Sequence, residues 1–328
     1  MLLDLGVTTR AGLTTVVKFS ELAQKLGFHC LWIGEDINVS SDIFTLISTT
    51  LLRNSKIRVG IGITSPLIRN ISTIARASVT LTEIAGEDRF ILGLGVGGLQ
   101  DLSSLGISVK NSSALLRDAV GLLRKIWKGE TVAFQSEHFK LENYYPRYGL
   151  ARRIPVYLGV RGPKLLEQAG NIADGVILSG PKKYLTKAVR LVKNCVRRSN
   201  NPEKTFKFVT WIPTVLGERK IDVNLAKQSV AVILADTPKN VLEMAELDVE
   251  KVNRIKRTLL RFGLEKAAHL VSDELARETV IHGNPQQIFE VFESLENLGI
   301  DEVVFGPPYG VNKERAIARL ARAWRQRT

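Results

Sequence analysis

The sequence predicts an α/β protein, a (β/α)8 TIM barrel with a helical insertion before the last βα unit. Short apolar segments alternate with amphipathic segments of helical length along almost the whole chain. The apolar segments are rich in β-branched residues, as is typical of parallel strands buried on both faces. Only one long stretch, near the C-terminal end, has helical patterns without a strand. Because a doubly wound sheet usually needs fewer units, a closed barrel is the better interpretation.

The predicted strands and helices follow one another in a regular order. The strands span residues 2–7, 30–33, 57–63, 89–95, 154–160, 175–179, 206–217 and 301–306. The helices span residues 14–26, 42–53, 72–84, 113–128, 164–171, 182–198 and 313–325. Since most connections have the length of a helix, consecutive strands are predicted to pair in parallel. The segment between the fourth helix and the fifth strand, which contains Phe134, Tyr144 and Tyr148, is predicted to be irregular.

The insertion covers residues 222–278 and is predicted to form several helices. Neither a Gly/Ser-rich linker nor a break in composition separates it from the rest of the chain. Residues 1–328 are therefore predicted to form a single domain.

The chain is basic, with 46 Lys and Arg against 33 Asp and Glu and a formal net charge of +13. A basic surface attracts polyanions. The charges are spread along predicted helix faces, and no nucleic-acid-binding motif accompanies them, so nucleic acid is not expected as a partner. Solvated helix faces are the preferred interpretation, and attraction of a small, multiply anionic cofactor is the alternative.

Cysteines, histidines and hydropathy exclude other classes of protein. Cys30 and Cys195 lie far apart, which excludes a disulfide framework and favours a reducing cytoplasm. The four histidines have no metal-ligand spacing, so no metal site is expected. No apolar stretch reaches roughly 18 residues, so no membrane span is expected either. The apolar start of the chain is predicted to be a buried strand rather than a signal peptide.

In a TIM barrel, the chemistry lies in the loops that follow the carboxyl ends of the strands. Three of these loops are rich in glycine, and the first spans residues 93–98 with the sequence GLGVGG. Its spacing is only a weak dinucleotide-binding signal, because Gly93 lies inside the strand and no acidic residue follows at the expected place. Turning of the chain by these glycines is the alternative interpretation.

The second glycine-rich loop, GVRGPK at residues 159–164, runs from a strand into a helix. Pro163 is suited to the first helical position, where its missing N–H has no partner in any case. The unpaired N–H groups and the dipole of this helix end can hold a phosphate, to which Arg161 and Lys164 would add charge. Together with the loop at residues 93–98, this loop is predicted to bind one phosphate-bearing cofactor.

The third loop, GIGITSP at residues 60–66, allows its backbone to approach a flat ring closely. Glu35 and Asp36 follow the second strand, and a carboxyl group there can act as a proton donor if burial raises its pKa. Capping of the next helix or pairing with an arginine is the alternative for both acids. Trp32 and Tyr157 are predicted to belong to the barrel core, as is Cys30.

These loops resemble those of the luciferase-like superfamily of flavin and F420 enzymes, especially its F420-dependent methylenetetrahydromethanopterin reductases. The matching segments are LWIGEDINVSSDIF (31–44), GIGITSPLIRN (60–70), LGLGVGGLQDLSSLGI (92–107), VYLGVRGPKLLEQAGNIADGVILS (156–179), VIHGNPQQ (280–287) and GPPYGVNKERAI (306–317). The segment 156–179 carries the strongest resemblance, and the likeness covers essentially the whole chain, including the insertion.

The resemblance implies a cofactor site and a catalytic pair. The implied cofactor-binding residues are Gly62, Ile63, Gly95, Val96, Gly97, Gly98, Gly159, Val160, Arg161, Gly162 and Pro163. Of these, Gly62 and Ile63 would be joined by a cis peptide bond beneath the deazaflavin ring. Glu35 and Asp36 would be the catalytic acids.

The sequence departs from the pattern of this family at three polar positions. The Asp-His pair of the family is replaced by Glu35 and Asp36, so its histidine is absent. The carboxylate of its strand-four loop falls on Gly98, and its first-strand glutamate falls on Gly6, with Asp4 two residues away. Proton transfer to a substrate would then depend on Glu35 or Asp36.

The resemblance implies an F420-dependent oxidoreductase that transfers hydride between a reduced deazaflavin and a small electrophile. Candidate electrophiles include 5,10-methylenetetrahydromethanopterin and related methylene-tetrahydropterins. An FMN-dependent monooxygenase and a catalytically impaired F420- or flavin-binding protein are the alternatives. A cytoplasmic homodimer that acts on a small molecule is also implied.

Overall fold

Eight parallel strands close into a barrel, which confirms the predicted (β/α)8 architecture. The structure, a computed structural model, describes residues 1–86, 88–148, 153–198 and 205–327. Its strands are β1 (Leu2–Thr8), β2 (Cys30–Gly34), β3 (Arg58–Ile61), β4 (Phe90–Leu94), β5 (Val132–Gln135), β6 (Lys140–Tyr144), β7 (Val156–Gly159), β8 (Gly175–Leu178), β9 (Lys207–Leu216), β10 (Ile281–Gly283) and β11 (Glu302–Tyr309). The barrel runs β1-β2-β3-β4-β7-β8-β9-β11 and closes where β11 pairs with β1.

Helices surround the barrel and connect its strands. They are α1 (Leu13–Leu26), α2 (Ile43–Arg53), α3 (Ile71–Ala85), α4 (Leu99–Ser104), α5 (Ser112–Trp127), α6 (Pro163–Ile172), α7 (Lys182–Arg198), α8 (Lys220–Ala235), α9 (Lys239–Met244), α10 (Val249–Phe262), α11 (Leu264–His269), α12 (Asp273–Thr279), α13 (Pro285–Leu298) and α14 (Lys313–Arg325). Side-chain caps fix several of their starts: Asp42 accepts the N–H of Thr45 at 3.0 Å, and Asn284 and Gln287 form a capping box around Pro285. In the described part of the chain, no helix is long and apolar enough to cross a membrane.

The predicted insertion is helical and consists of α8 to α12, from Lys220 to Thr279. A second hydrophobic cluster, separate from the main core, holds these helices together. The sequence analysis did not predict β10, which follows the insertion. This strand pairs in parallel with the last three residues of β9, with Ile281 opposite Thr214. A strand of three residues is too short to produce a periodic pattern.

The segment before β7 was expected to be irregular, and the structure corrects this expectation. Strands β5 and β6 form an antiparallel hairpin in which Gln135 pairs with Lys140. Phe139, at the turn of the hairpin, is buried with 8% exposure. Because only one face of this short hairpin contacts the protein, its hydrophobic pattern is weak in the sequence.

The centre of the barrel is filled by an aromatic and aliphatic cluster around Trp32. Trp32 is fully buried, and a side chain at Gly60 would begin 2.5 Å from its ring. Tyr157 packs at 5.8 Å from Trp32, measured between ring centroids, and Cys30 is also fully buried. The structure thus confirms the prediction of these three residues as core.

A pair of buried acids closes the amino-terminal end of the barrel. Asp4 on β1 accepts a hydrogen bond from Nε1 of Trp32 at 2.8 Å. Glu302 lies on the neighbouring β11, with Oε1 at 3.7 Å from Nη1 of Arg58 and 3.9 Å from Nε2 of His29. Burial, and then the charge of Glu302, raise the pKa of Asp4. This acid pair lies at the end of the barrel opposite the candidate loops.

Candidate functional site

The loops after β2, β3, β4 and β7 meet at the carboxyl end of the barrel. Thr64 on the β3 loop donates to Glu35 on the β2 loop at 2.7 Å. The N–H of Gly95 on the β4 loop donates to the carbonyl of Thr64 at 3.0 Å. A side chain at Gly95 would begin only 2.7 Å from the carbonyl of Gly159 on the β7 loop. The residues predicted from four separate loops therefore lie side by side.

Glu35 is held in an ion pair with Arg69. The side chain of Glu35 is 6% exposed, and its Oε2 accepts hydrogen bonds from Nη1 of Arg69 at 2.9 Å and from Thr64. Arg69 also binds Oδ2 of Asp42 at 2.8 Å and lies over the ring of Phe44. Burial lowers the pKa of Arg69, but its hydrogen bonds to Glu35 and Asp42 outweigh this effect and raise it. Donation of a proton by Glu35 would require a break in this pairing.

Asp36 faces a different arginine and is more exposed. Its carboxylate accepts the backbone N–H and the guanidinium of Arg10, both at 3.3 Å, and its side chain is 26% exposed. Its own N–H donates to Oγ1 of Thr9 at 2.9 Å, which connects the β2 loop to the end of β1. For both acids, the structure shows the arginine pairing that the sequence analysis left as an alternative.

The peptide bond between Gly62 and Ile63 is cis, as the resemblance implied. The N–H of Gly62 donates to the carbonyl of Ile33 at 2.8 Å, which holds this bond against β2. The side chain of Ile63 lies across two other glycines, since added side chains at Gly95 and Gly159 would begin 2.7 Å and 2.5 Å from it. Three predicted loops thus contribute backbone to one continuous surface.

The loop after β4 presents unpaired backbone donors. Within the described residues, the N–H groups of Val96, Gly97 and Gly98 donate no hydrogen bond. Gly97 has a φ of +98°, which a residue with a side chain rarely adopts. Oγ of Ser65 donates to the carbonyl of Val96 at 2.6 Å and fixes the loop from the side of β3. The loop can therefore offer N–H groups to an anion without losing an internal bond.

The loop after β7 ends at α6, whose first turn has no side-chain cap. In the part of the chain that the structure describes, the N–H groups of Val160 and Arg161 donate no hydrogen bond. Gly162 has a φ of +84°, and Pro163 occupies the first helical position, as predicted. Unpaired N–H groups at a helix start attract anions, and the helix dipole adds to this attraction.

The sequence analysis did not identify two residues that lie beside Gly162. A side chain at Gly162 would begin 2.7 Å from Nδ2 of Asn240, so α9 of the insertion covers this loop. Tyr184 of α7 is fully buried with its hydroxyl beside the N–H of Gly162. Burial raises the pKa of Tyr184, so this hydroxyl keeps its proton. No local sequence pattern links either residue to Gly162, because they meet only in the folded barrel.

Trp211 on β9 is a third residue that the sequence analysis did not identify. Its half-buried indole lies at the mouth of the barrel, close to four glycines: Gly6 of β1, Gly34 of β2, Gly62 just after β3 and Gly306 of β11. Side chains at Gly6, Gly62 and Gly306 would begin 2.7, 2.9 and 2.4 Å from the indole. These four glycines were the available signal, since glycines at the ends of several strands make room for one large side chain.

Two of the three departures that the resemblance implies can be followed in the structure. The indole of Trp211 fills the space above Gly6. Asp4 does not replace the missing first-strand carboxylate, because its side chain is buried below Trp32. Gly98 stands at the start of α4, where the carboxylate of Asp101 instead accepts a hydrogen bond from Asn38 at 2.7 Å.

The arrangement combines an edge of unpaired N–H groups with a surface built largely from backbone. Two loops at the carboxyl end of the barrel, at residues 95–98 and 159–163, contain N–H groups that donate no hydrogen bond within the described residues. Backbone of three loops and the indole of Trp211 form the adjoining floor and wall, and the Glu35–Arg69 pair borders them. A profile of the luciferase-like monooxygenase family matches residues 3–302. The chain belongs to this family.

Several characterised proteins show how far this similarity extends. The chain is 28% identical over 312 residues to the 5,10-methylenetetrahydromethanopterin reductase of Archaeoglobus fulgidus, an alignment that covers 93% of this chain and 92% of that protein. It is 26% identical over 311 residues to the reductase of the same name from Methanolobus tindarius, with 94% of each chain covered.

A solved structure shows the same fold. The coenzyme F420 dependent tetrahydromethanopterin reductase from Methanopyrus kandleri superposes with a TM-score of 0.87. The superposition covers 98% of this chain and 97% of that chain at 23% identity. The luciferase-like barrel is thus shared over its full length.

Proposed function

We propose that this protein is an F420-dependent oxidoreductase that transfers hydride between a reduced deazaflavin and a small electrophile. The observation that carries the proposal is the joint presence of two loops with unpaired N–H groups beside the glycine-built surface. A cofactor with a flat ring and a phosphate needs both features. The name of the Methanopyrus kandleri structure, a coenzyme F420 dependent reductase, favours F420 over FMN as that cofactor.

The loops would hold different parts of the cofactor. The phosphate would lie between residues 95–98 and residues 159–163, where backbone N–H groups and the start of α6 favour negative charge. The ring would lie against the cis peptide bond between Gly62 and Ile63, the position that the resemblance implies. When bound, the deazaflavin supplies a carbon that donates or accepts hydride.

The barrel would contribute mainly by positioning. Transfer between two carbons depends on holding them in near-attack geometry, and rigid strand ends provide such positions. Trp211 would present a flat apolar wall to the electrophile, and the loops would exclude water from the reacting atoms.

Glu35 and Asp36 are the acids that we propose for proton exchange with the substrate. Glu35 is the better placed, because it is nearly buried and borders the surface at Gly62 through Thr64. Its ion pair with Arg69 keeps the side chain in one position. A proton taken up by Glu35 would weaken this pair, so proton exchange and the Arg69 contact would be linked.

For the substrate, we propose a methylene-tetrahydropterin such as 5,10-methylenetetrahydromethanopterin, on the names of the relatives. An FMN-dependent monooxygenase is the second candidate, since the family profile carries that description. The resemblance to this family also supports a cytoplasmic dimer.

The proposal is tested by mixing purified protein with reduced F420 and, in turn, methylene-tetrahydropterins and small carbonyl compounds under exclusion of oxygen. Protein-dependent return of the visible absorbance of oxidised F420 with one electrophile is the expected result. Binding of F420 without oxidation by any electrophile would identify a cofactor-binding protein instead. Substrate oxygenation with reduced FMN and oxygen would identify the monooxygenase.

A further inference from the structure

A second cavity opens at the carboxyl end of the barrel, between the start of α7 and the strand β10. Its volume is about 330 Å³, and it lies between Lys182, Gly217 and His282. It is separate from the loops after β3, β4 and β7, since it shares no lining residue with them. The proposed cofactor site therefore does not account for it.

Three basic side chains line this cavity, which we call the basic pocket. They are Lys182 at the start of α7, Arg277 of α12 and His282 of β10. Within the described part of the chain, no carboxylate lies within ion-pair distance of Lys182 or Arg277. The imidazole Nδ1 of His282 is buried and has no hydrogen-bond partner among the described residues.

The acids nearest to the basic pocket are engaged elsewhere. Glu278 accepts the backbone N–H of Lys183 at 2.7 Å. Asp273 pairs with Lys227 at 2.7 Å, and the exposed Glu218 accepts a hydrogen bond from Asn284 at 3.2 Å. Among the described residues, none of these carboxylates forms an ion pair with Lys182 or Arg277, although Glu218 lines the cavity and the charge of Glu278 acts on Lys182.

The pKa values of Lys182 and His282 reflect their burial and the charges around them. Burial is the main cause that lowers the pKa of Lys182; the charge of Glu278 opposes this effect, and the charge of Arg277 adds to it. Burial also lowers the pKa of His282, followed by the charges of Arg277 and Lys182. A bound anion would reverse these effects, because opposite charge stabilises the protonated forms.

We propose that the basic pocket binds a phosphate-sized oxyanion through Lys182, Arg277 and His282. Charged donors converging on one cavity form strong, charge-assisted hydrogen bonds to phosphate or carboxylate oxygens. The anion would come either from the acidic tail of the deazaflavin or from an anionic group of the substrate. The pocket opens at the end of the barrel where both are expected, but its affinity for an oxyanion does not depend on the proposed function.

Inorganic phosphate is the first probe. Calorimetric titration of the whole protein is expected to show saturable binding. Lys182→Met and Arg277→Met should each weaken it at least about tenfold, as expected for the loss of one charged hydrogen bond. The control is Arg254→Met, which removes an exposed arginine from α10 of the same insertion and should leave the affinity unchanged. Absence of saturable binding, or an equal loss in the control, would overturn the proposal.

The His282 ring gives a second readout that needs no change at Lys182 or Arg277. Its NMR signals can be assigned from the one histidine resonance that disappears in His282→Gln. Phosphate should raise the pKa of His282, while those of the other three histidines should change little. An unchanged titration of His282 at saturating phosphate would contradict contact with the anion.

The source of the anion is distinguished with two cofactors. If the pocket holds the cofactor tail, Lys182→Met will weaken binding of F420 but not of a deazaflavin that lacks the acidic tail. If it holds the substrate, both cofactors will bind equally to the variant, and inorganic phosphate will compete with the substrate in the wild type. Phosphate binding combined with failure of F420 to bind would keep the pocket and reject the proposed function.

Discussion

At the scale of single residues, Glu35 shows that the contacts of a carboxylate decide whether it can act as a proton donor. The sequence places it at the end of a barrel strand, where a proton donor was expected. In the structure it is nearly buried and paired with Arg69 and Thr64. Replacement by glutamine keeps the shape and removes the charge, so it separates the role of the carboxylate from that of packing.

Glu35→Gln is expected to reduce turnover at least about tenfold, near the lower end of general acid–base effects. The Kd for the cofactor should change little, because the proposed cofactor contacts are backbone N–H groups. Steady-state kinetics and a cofactor titration measure the two quantities. The control is Asp42→Asn, which removes the other carboxylate of Arg69 but keeps a side chain that can cap α2. A comparable fall in cofactor affinity for Glu35→Gln would assign Glu35 to binding instead.

Trp211 gives a direct optical test of the surface at the mouth of the barrel. It is one of four tryptophans, and the site that we propose for the ring adjoins its indole. Trp211→Phe should remove most of the quenching of tryptophan fluorescence that accompanies cofactor binding. Trp324→Phe, on the outer helix α14, should leave the quenching in place. Undiminished quenching in Trp211→Phe would place the ring elsewhere.

Asp4 makes stability depend on pH through the acid pair at the opposite end of the barrel. Its pKa is raised in the folded state, mainly by burial and then by Glu302, above a reference value of 3.8. The folded protein thus binds this proton more tightly than the unfolded chain does. The resulting stability is fully present below the unfolded pKa and is lost as the pH rises through the folded pKa.

Asp4→Asn should reduce the loss of stability at rising pH, because an amide does not ionise. The amide oxygen can still accept the hydrogen bond from Trp32. The free energy of unfolding of the variant should therefore fall less than that of the wild type as the pH rises. Urea denaturation across about pH 4 to 9 measures the difference in the free energy of unfolding. The exposed Asp88→Asn is the control. Parallel curves for wild type and Asp4→Asn would show that Asp4 is not the group concerned.

At the scale of elements, the sequence predicted the strands and helices whose hydrophobic residues follow a local periodic pattern. The eight barrel strands and the helical insertion were found because buried strands and amphipathic helices repeat every few residues. The hairpin β5–β6 and the three-residue β10 were missed because each is too short for such a repeat. The contact of Asn240 with Gly162 was missed because it joins residues far apart in the chain.

The start of α6 is the element on which cofactor binding depends in our account. Gly162→Val is expected to weaken cofactor binding at least about tenfold, since a β-branched residue resists a φ of +84° and would collide with Asn240. The matched control is Gly121→Ala in α5, where an added side chain meets open space. That change should leave binding intact and raise the free energy of unfolding by about 0.5–1 kcal/mol. Unaltered cofactor binding in Gly162→Val would remove the phosphate from this loop.

At the scale of the whole molecule, one barrel end carries the proposed cofactor loops and the basic pocket, and the other end carries the buried acids. The net charge of +13 was ambiguous in the sequence, since solvated helix faces and attraction of an anion both explain it. The structure shows that three of the basic residues converge on the basic pocket, which no spacing in the sequence reveals. The net charge alone therefore does not reveal an anion site; the positions of the basic side chains in the fold are needed as well.

The central claim is that this barrel binds a deazaflavin in preference to FMN. The most direct measurement is a fluorescence titration of the purified protein with oxidised F420 and, separately, with FMN, with Gly162→Val as the binding-deficient control. Our account predicts saturable binding of F420 that is at least about tenfold tighter than that of FMN and is lost in the control. Tighter binding of FMN, or no binding of either cofactor, would contradict it.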